Sequence, residues 1–325
     1  MMLQGRADRV CENLDRLNQD LFRPAVVDAT VGERVGYSNY SYWHSTWKVF
    51  MQNRVAVFFI CLLLGLLLFT FIQPFLPNQK SATEIFTDGG GKQLRNIPPG
   101  GEFRFGTNAI GQDLWARIWS GTRTSMFIGM AVGLFNALAG VTIGSMWGYV
   151  RKLDRLITEL YNVVQNIPET VILILVAYIL RPGIVTIIFA MCITGWLPTA
   201  RYVRNQIIII RDREFNLASR CLGTPVSRII TKNLLPQLVS VIMMRTALAI
   251  PLAIGHEVFL TYIGLGLPVS IPSLGNLVNE GRIVMMSPAL RYQLLYPSLI
   301  LSLITISFYI LGNAFADAAD PRNHV

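Results

Sequence analysis

Apolar residues in this chain gather into long blocks, separated by shorter polar stretches. A helix that crosses a hydrocarbon layer about 30 Å thick needs about 20 mostly apolar residues, at a rise of about 1.5 Å each. Six stretches reach that length, at 55–77, 124–149, 156–180, 182–200, 238–265 and 294–315. They predict an all-α polytopic membrane protein with six transmembrane helices. The third stretch is the least apolar, with Glu159, Gln165, Asn166 and Glu169 in its first half. Polar groups at membrane depth face protein or water, so this span is expected inside the bundle or along a path through it. For the same reason Glu257, in the fifth stretch, is expected to face inward, to meet a solute or to pair with a polar neighbour. Arg245 lies near enough to the start of that stretch to snorkel out of the layer.

Composition supports the pattern. The 325 residues are 52% hydrophobic and 14% charged, with a mean hydropathy of +0.46, too apolar for an ordinary soluble domain. The first block begins too deep in the chain for a cleaved signal peptide and is expected to stay as an anchor. With the N-terminus inside, 18 of the 28 Lys and Arg residues fall on the cytoplasmic side and nine opposite. Basic excess marks the cytoplasmic face, so both termini are expected there, and the net charge of +9 reflects topology. A nucleic-acid partner is not expected, because the basic residues are spread over short loops. The four cysteines and three histidines are scattered, which suggests neither a disulfide framework nor a metal site.

The expected layout is a cytoplasmic tail over 1–54, a first transmembrane helix over 55–77, an extracytoplasmic loop over 78–123, a five-helix core over 124–316 and a cytoplasmic tail over 317–325. Residues 1–36 are polar and charge-mixed, a composition suited to partial disorder. Trp43, Trp47 and Phe50 fall at helical spacing ahead of the first block. They fit an interfacial amphipathic helix or an aromatic belt. The external loop carries the turn signals "TDGGGK" and "IPPGGEF" and is large enough to fold over a channel mouth.

Residues 211–237, "RDREFNLASRCLGTPVSRIITKNLLPQ", form a basic loop between the fourth and fifth blocks. Asp212 can cap a short helix on which Phe215, Ala218 and Leu222 follow at three- and four-residue steps. Gly223 suits a left-handed termination, and Thr224 with Pro225 suits the opening of a second helix that runs to Pro236. Such a helix, turn, helix unit can seat in a partner and transmit a push; it can also be an inert loop resting on anionic lipid.

This segment resembles the EAA loop of permease subunits of ATP-binding-cassette importers, in which a glycine is followed thirteen positions later by proline, with leucine just before it. Gly223, Leu235 and Pro236 stand at those places. Where the family reads Glu-Ala-Ala, this chain has Leu217, Ala218 and Ser219, with Glu214 three positions earlier. The strings "WHSTWKVFMQNRVAV", "FGTNAIGQDLWARIWSGTRTSM", "GWLPTARYVRNQ", "YIGLGLPVSIPSLGNLVNEGR" and "LGNAFADAADPR" resemble the second permease type of the dipeptide, oligopeptide and nickel importers. The resemblance implies the type I importer permease fold in a bacterial inner membrane. It also implies a homologous second permease, two ATPase subunits and an extracytoplasmic solute-binding protein as partners. ATP-driven alternating access would move di- or oligopeptides, with Glu214, Ala218, Ser219, Gly223, Thr224, Pro225 and Pro236 at the coupling contact. Gly106, Asp113, Asn276, Glu280 and Arg282 match family strings on the external side, as contacts for solute or binding protein or as caps and turns.

The chain has no G-x-x-x-x-G-K-[ST], and "GGGKQ" lacks the spacing and the hydroxyl residue needed to cradle phosphate. ATP and magnesium are therefore expected on partner chains. No cofactor, metal or catalytic residue is expected on this one. The alternative is an autonomous channel or secondary transporter, which would call for internal repeats or several intramembrane charges.

Overall fold

The structure is a computed structural model that describes residues 42–319, all but the first of them in the larger of two compact units, Trp43–Val325. The polar N-terminal tail and the last six residues, including the end of "LGNAFADAADPR", lie outside the described residues.

Helix α1 (Tyr42–Gln52) stops at Asn53, whose Oδ1 accepts the N–H groups of Val55 (3.1 Å) and Ala56 (3.2 Å) and so caps α2 (Arg54–Ile72). In α1, Phe50 is buried and packs on Phe315, with ring centroids 5.7 Å apart, while Trp47 stays exposed. Helix α3 (Leu114–Tyr149) starts at 114 instead of 124, which shortens the preceding loop accordingly. Hydropathy misses these first turns because they carry Trp115, Arg117 and Trp119, which pack on Phe105, Glu280 and Phe69. The start is fixed by Asp113, whose carboxylate accepts the Ala116 N–H at 3.0 Å.

The third apolar block is not one straight span. It divides into α4 (Arg151–Gln165) and α5 (Glu169–Ile179), which meet at 77°. Pro168 N-caps α5, and its ring disfavours helical backbone at Ile167, so the ladder stops there. Glu159, Gln165 and Asn166 are exposed and so do not pack inside this chain's bundle, while Gln165 and the half-buried Glu169 border a cavity. The fourth block comprises α6 (Ile184–Thr194) and α7 (Leu197–Arg211), which together read as one 28-residue span. After a short α8 (Glu214–Cys221), a helical path runs from Val226 to Tyr262 and includes α9 (Val239–Tyr262). Helices α10 (Leu274–Val284) and α11 (Tyr292–Ala318) complete the described chain. Among the described residues, five segments are long and apolar enough to cross a membrane, and the α4–α5 pair makes a sixth if it crosses as one unit.

Helix α3 is the central post, packed on α7 and α9. Its approach to α7 depends on glycine: a Cβ at Gly144 would lie 2.4 Å from the Ala200 carbonyl oxygen, and one at Gly148 would lie 2.8 Å from that of Arg204. Small residues at four-residue spacing let two backbones touch where lipid gives helices little hydrophobic reason to associate. An apolar cluster of Ile128, Leu173, Met191 and Leu260 joins α3, α5, α6 and α9. A second, with Ile207, Ile229 and Leu234, underlies the α8 turn. Among the described residues there is no regular strand, only isolated bridges such as Thr87 with Gln93 and Thr107 with Asp113.

Candidate functional site

Leu222 closes α8, and the chain then reverses through Gly223 at φ +75°. The Thr224 N–H reaches the Ser219 carbonyl at 3.1 Å and the Gly223 N–H reaches that of Arg220 at 2.9 Å. These are the two bonds of a Schellman ending, and the left-handed residue they require is the expected glycine. The caps differ from the sequence reading. Arg213 occupies the N-cap of α8 without a side-chain bond, because Asp212 turns instead to Arg211 (3.1 Å) and Arg220 (3.6 Å). The hydrogen bond from Arg211 holds the Asp212 carboxyl below the usual carboxylate range. Pro225, in place of Thr224, is the N-cap of the second helix, with extended backbone at ψ 145°.

That helix also does not end at Pro236. Proline has no N–H to give and its ring crowds the carbonyl four residues back, so the path widens to a π-helical stretch over Ile229–Leu234 and tightens to a 3₁₀ stretch over Leu235–Leu238. It then continues into α9, which makes the turn one rigid piece with a membrane helix.

Two residues that the sequence reading passed over hold the turn in place. Asn216 is buried and donates to the Ile210 carbonyl at 2.8 Å, while Asn233 donates to Asn216 Oδ1 and Ser219 Oγ, both at 3.2 Å. An asparagine on the buried side of an otherwise exposed short helix is the signal that could have found them. Arg220 lies over the Tyr149 ring at 5.0 Å and donates to its hydroxyl at 3.2 Å, so it ties the turn to the end of α3. Phe215, Leu217, Leu222 and Val226 are left as an uncovered apolar surface, with Leu222 85% exposed. Glu214, Ala218, Gly223 and Pro225 are exposed around them, and Ser219 and Thr224 are half-buried. Glu214 has no hydrogen bond or ion pair among the described residues. Pro236, exposed, lies behind this surface on the helix that follows.

At the other end of the bundle the loop before α3 is folded down onto α11. Tyr292 Oη lies 2.8 Å from the Thr107 carbonyl and 2.9 Å from that of Ile97, and Gln293 donates to Asn96 at 2.8 Å. The five residues expected as external contacts gather at this end. Glu280 pairs with Arg117 at 2.7 Å, and Arg117 also donates to Gln112. Asp113 is buried as the α3 cap, and burial raises its carboxyl above the usual range. Asn276 donates to the Pro268 and Ile271 carbonyls at 3.1 and 2.9 Å, and Gly106 turns at φ +78° beneath Tyr292. These three shape the loop with their polar atoms already engaged. Arg282 alone is largely exposed, its guanidinium 4.1 Å from the Tyr262 ring centre.

Within the bundle, Glu257 has no exposed surface and accepts hydroxyl bonds from Ser273 (2.7 Å), Ser125 (3.0 Å) and Thr261 (3.4 Å). It pairs with polar neighbours. The Arg245 guanidinium lies 4.5 Å from the Tyr202 ring centre, and the residue borders a cavity of about 160 Å³. Asn136, Glu169, Thr199 and His256 supply the other polar groups of that wall. Among the described residues no three His, Cys, Asp or Glu side chains converge as a metal site would require.

The sequence model described as "Binding-protein-dependent transport system inner membrane component" matches residues 140–325. The chain belongs to this family. The model for the N-terminal TM domain of oligopeptide transport permease C matches residues 41–99 of this inner membrane component. It is 36% identical to the oligopeptide transport system permease protein AmiD of Streptococcus pneumoniae, over 96% of this chain and 100% of that one. It is 33% identical to the dipeptide transport system permease protein DppC of Bacillus subtilis, over 94% and 92%. With OppC of the same organism the identity is 30%, over 95% and 99%. Among solved structures, a chain of the MetNI methionine ABC transporter superposes with a TM-score of 0.50 at 19% identity, covering 62% of this chain and 96% of that one. The inner membrane component thus has the type I ABC importer permease fold and is a multi-pass protein of the bacterial plasma membrane.

Proposed function

We propose that this chain is one of two homologous permease subunits in an importer that moves di- or oligopeptides, driven by ATP hydrolysed on separate subunits. The observation that carries the reading is the uncovered apolar turn around Leu222, rigidly continuous with a membrane helix. A polar connection has no reason of its own to expose Phe215, Leu217, Leu222 and Val226 together, and a groove on a partner would bury them. Glu214, whose carboxylate is unpaired among the described residues, would meet a basic residue at the rim of that groove. ATP-driven closure of the partners would push the turn, tilt the helical path from Val226 onward and switch the cavity between the two sides. On this reading both termini and the turn are cytoplasmic, as the basic excess favours. The folded loop over 78–113 then receives a solute-binding protein, and the relatives named for peptide transport support the cargo. The chain itself would hold no nucleotide and catalyse no reaction.

Gly223→Val tests the coupling. Nothing lies within 4 Å of a Cβ built at Gly223, so the substitution acts through the left-handed backbone, at a cost of about 1–2 kcal/mol, largest for a β-branched residue. Expected is an assembled complex that still hydrolyses ATP but has lost most peptide uptake. Uptake at the unsubstituted rate would remove the coupling role.

A further inference from the structure

The cavity between α3, α5, α7 and α9 is bordered by two polar side chains, Asn136 and Arg245, with hydrogen-bonding capacity unused among the described residues. Asn136 is 6% exposed and its Oδ1 accepts no hydrogen bond. Arg245 Nε is buried without an acceptor, and no carboxylate among the described residues lies within ion-pair distance of its guanidinium. Most buried polar atoms in proteins are satisfied, and an unneutralised cation at membrane depth is costly. Arg245, whose guanidinium meets the Tyr202 ring but no carboxylate among the described residues, and Asn136 on the same wall favour a ligand that offers an anion and an amide group together.

We infer that this cavity is a contact site for the transported peptide, with Arg245 holding its terminal carboxylate and the Asn136 side chain hydrogen-bonding a peptide group. The inference rests on the peptide-import reading and adds the residues of this chain that touch the cargo. Arg245 and His256 are eleven residues apart on α9, which brings them within about 20° of the same face and roughly 16 Å apart along the axis. An extended peptide of about four or five residues spans that length. Leu248 and Leu252 lie between them for its side chains, and Glu169 offers the opposite charge to an amino terminus. A sugar would leave the arginine without a counter-ion, and a bare metal cation would be repelled by it.

The test uses the complete transporter in proteoliposomes, with loaded binding protein and labelled trialanine. Leu252 is 63% exposed and borders the cavity, so Leu252→p-benzoylphenylalanine places a photoreactive group at the proposed contact, in a variant whose uptake of trialanine is measured alongside. Irradiation during turnover is expected to attach trialanine at position 252, and the same group at Leu299 on α11 is expected to take none. Arg245→Gln should lower the yield at 252 about tenfold and Arg245→Lys should restore most of it, the ratio expected for one charge-assisted bond. Uptake without peptide at 252, attachment there to another polypeptide, or an unchanged yield with Arg245→Gln would each overturn the inference. If the unsubstituted assembly takes up no trialanine, the peptide reading itself fails, and the two failures are thereby distinguished.

Discussion

Arg117 has no exposed surface, and its partner Glu280 keeps about a quarter of its side chain open. The pair is therefore asymmetric in what it leaves behind when broken. Removing Glu280 strands a fully buried cation, whereas removing Arg117 leaves a carboxylate that can still reach water. Glu280→Leu is accordingly expected to destabilise the assembled protein by about 3 kcal/mol, clearly more than Arg117→Leu does. Thermal unfolding of the purified complex checks this, and equal losses would argue against the asymmetry. At this scale the sequence was informative about residue type more than about role. The strings around Asp113 and Asn276 identified real polar positions, but a helix cap and a loop brace look the same in sequence as a ligand contact. The partners that distinguish them, Ala116, Pro268 and Ile271, are a matter of folded geometry.

Elements were legible where one physical cause acts alone. Apolar length located five spanning segments, and Gly223 announced its own turn. The errors arose where two causes compete. Residues 156–180 are apolar enough to span, yet Pro168 overrides hydropathy and breaks the segment. Pro236 is read as a helix end, yet the path absorbs it by changing its pitch, because packing of Ile229, Leu234 and Leu238 holds the helix on both sides. Gly140, Gly144 and Gly148 stand at four-residue intervals that hydropathy does not weigh, and they set how closely α3 meets α7. Gly144→Ala should therefore lower the melting temperature and the yield of assembled complex, since its methyl would press on the Ala200 backbone. Gly65→Ala, in α2 with nothing within 4 Å, should be neutral or stabilising by up to about 1 kcal/mol. Equal sensitivity at the two positions would show that close backbone approach is not what Gly144 provides.

For the whole molecule, the account places an uncovered apolar turn at one end of the bundle, a folded polar loop at the other and a charged cavity between them. Hydropathy and basic excess made the class of molecule readable from sequence; the cavity was not, because Asn136, Glu169 and Arg245 come from three distant segments. The central claim is that the turn meets an ATP-hydrolysing partner in the cytoplasm. Cys221 is a native, exposed thiol at the end of α8, one residue from Leu222. With the other three cysteines replaced by serine, a short bifunctional thiol-to-amine reagent applied to inverted membrane vesicles should join Cys221 to an ATPase subunit, while a membrane-impermeant maleimide should leave it unlabelled in intact cells. Labelling of Cys221 from outside intact cells, or cross-linked products that contain no nucleotide hydrolase, would contradict the account.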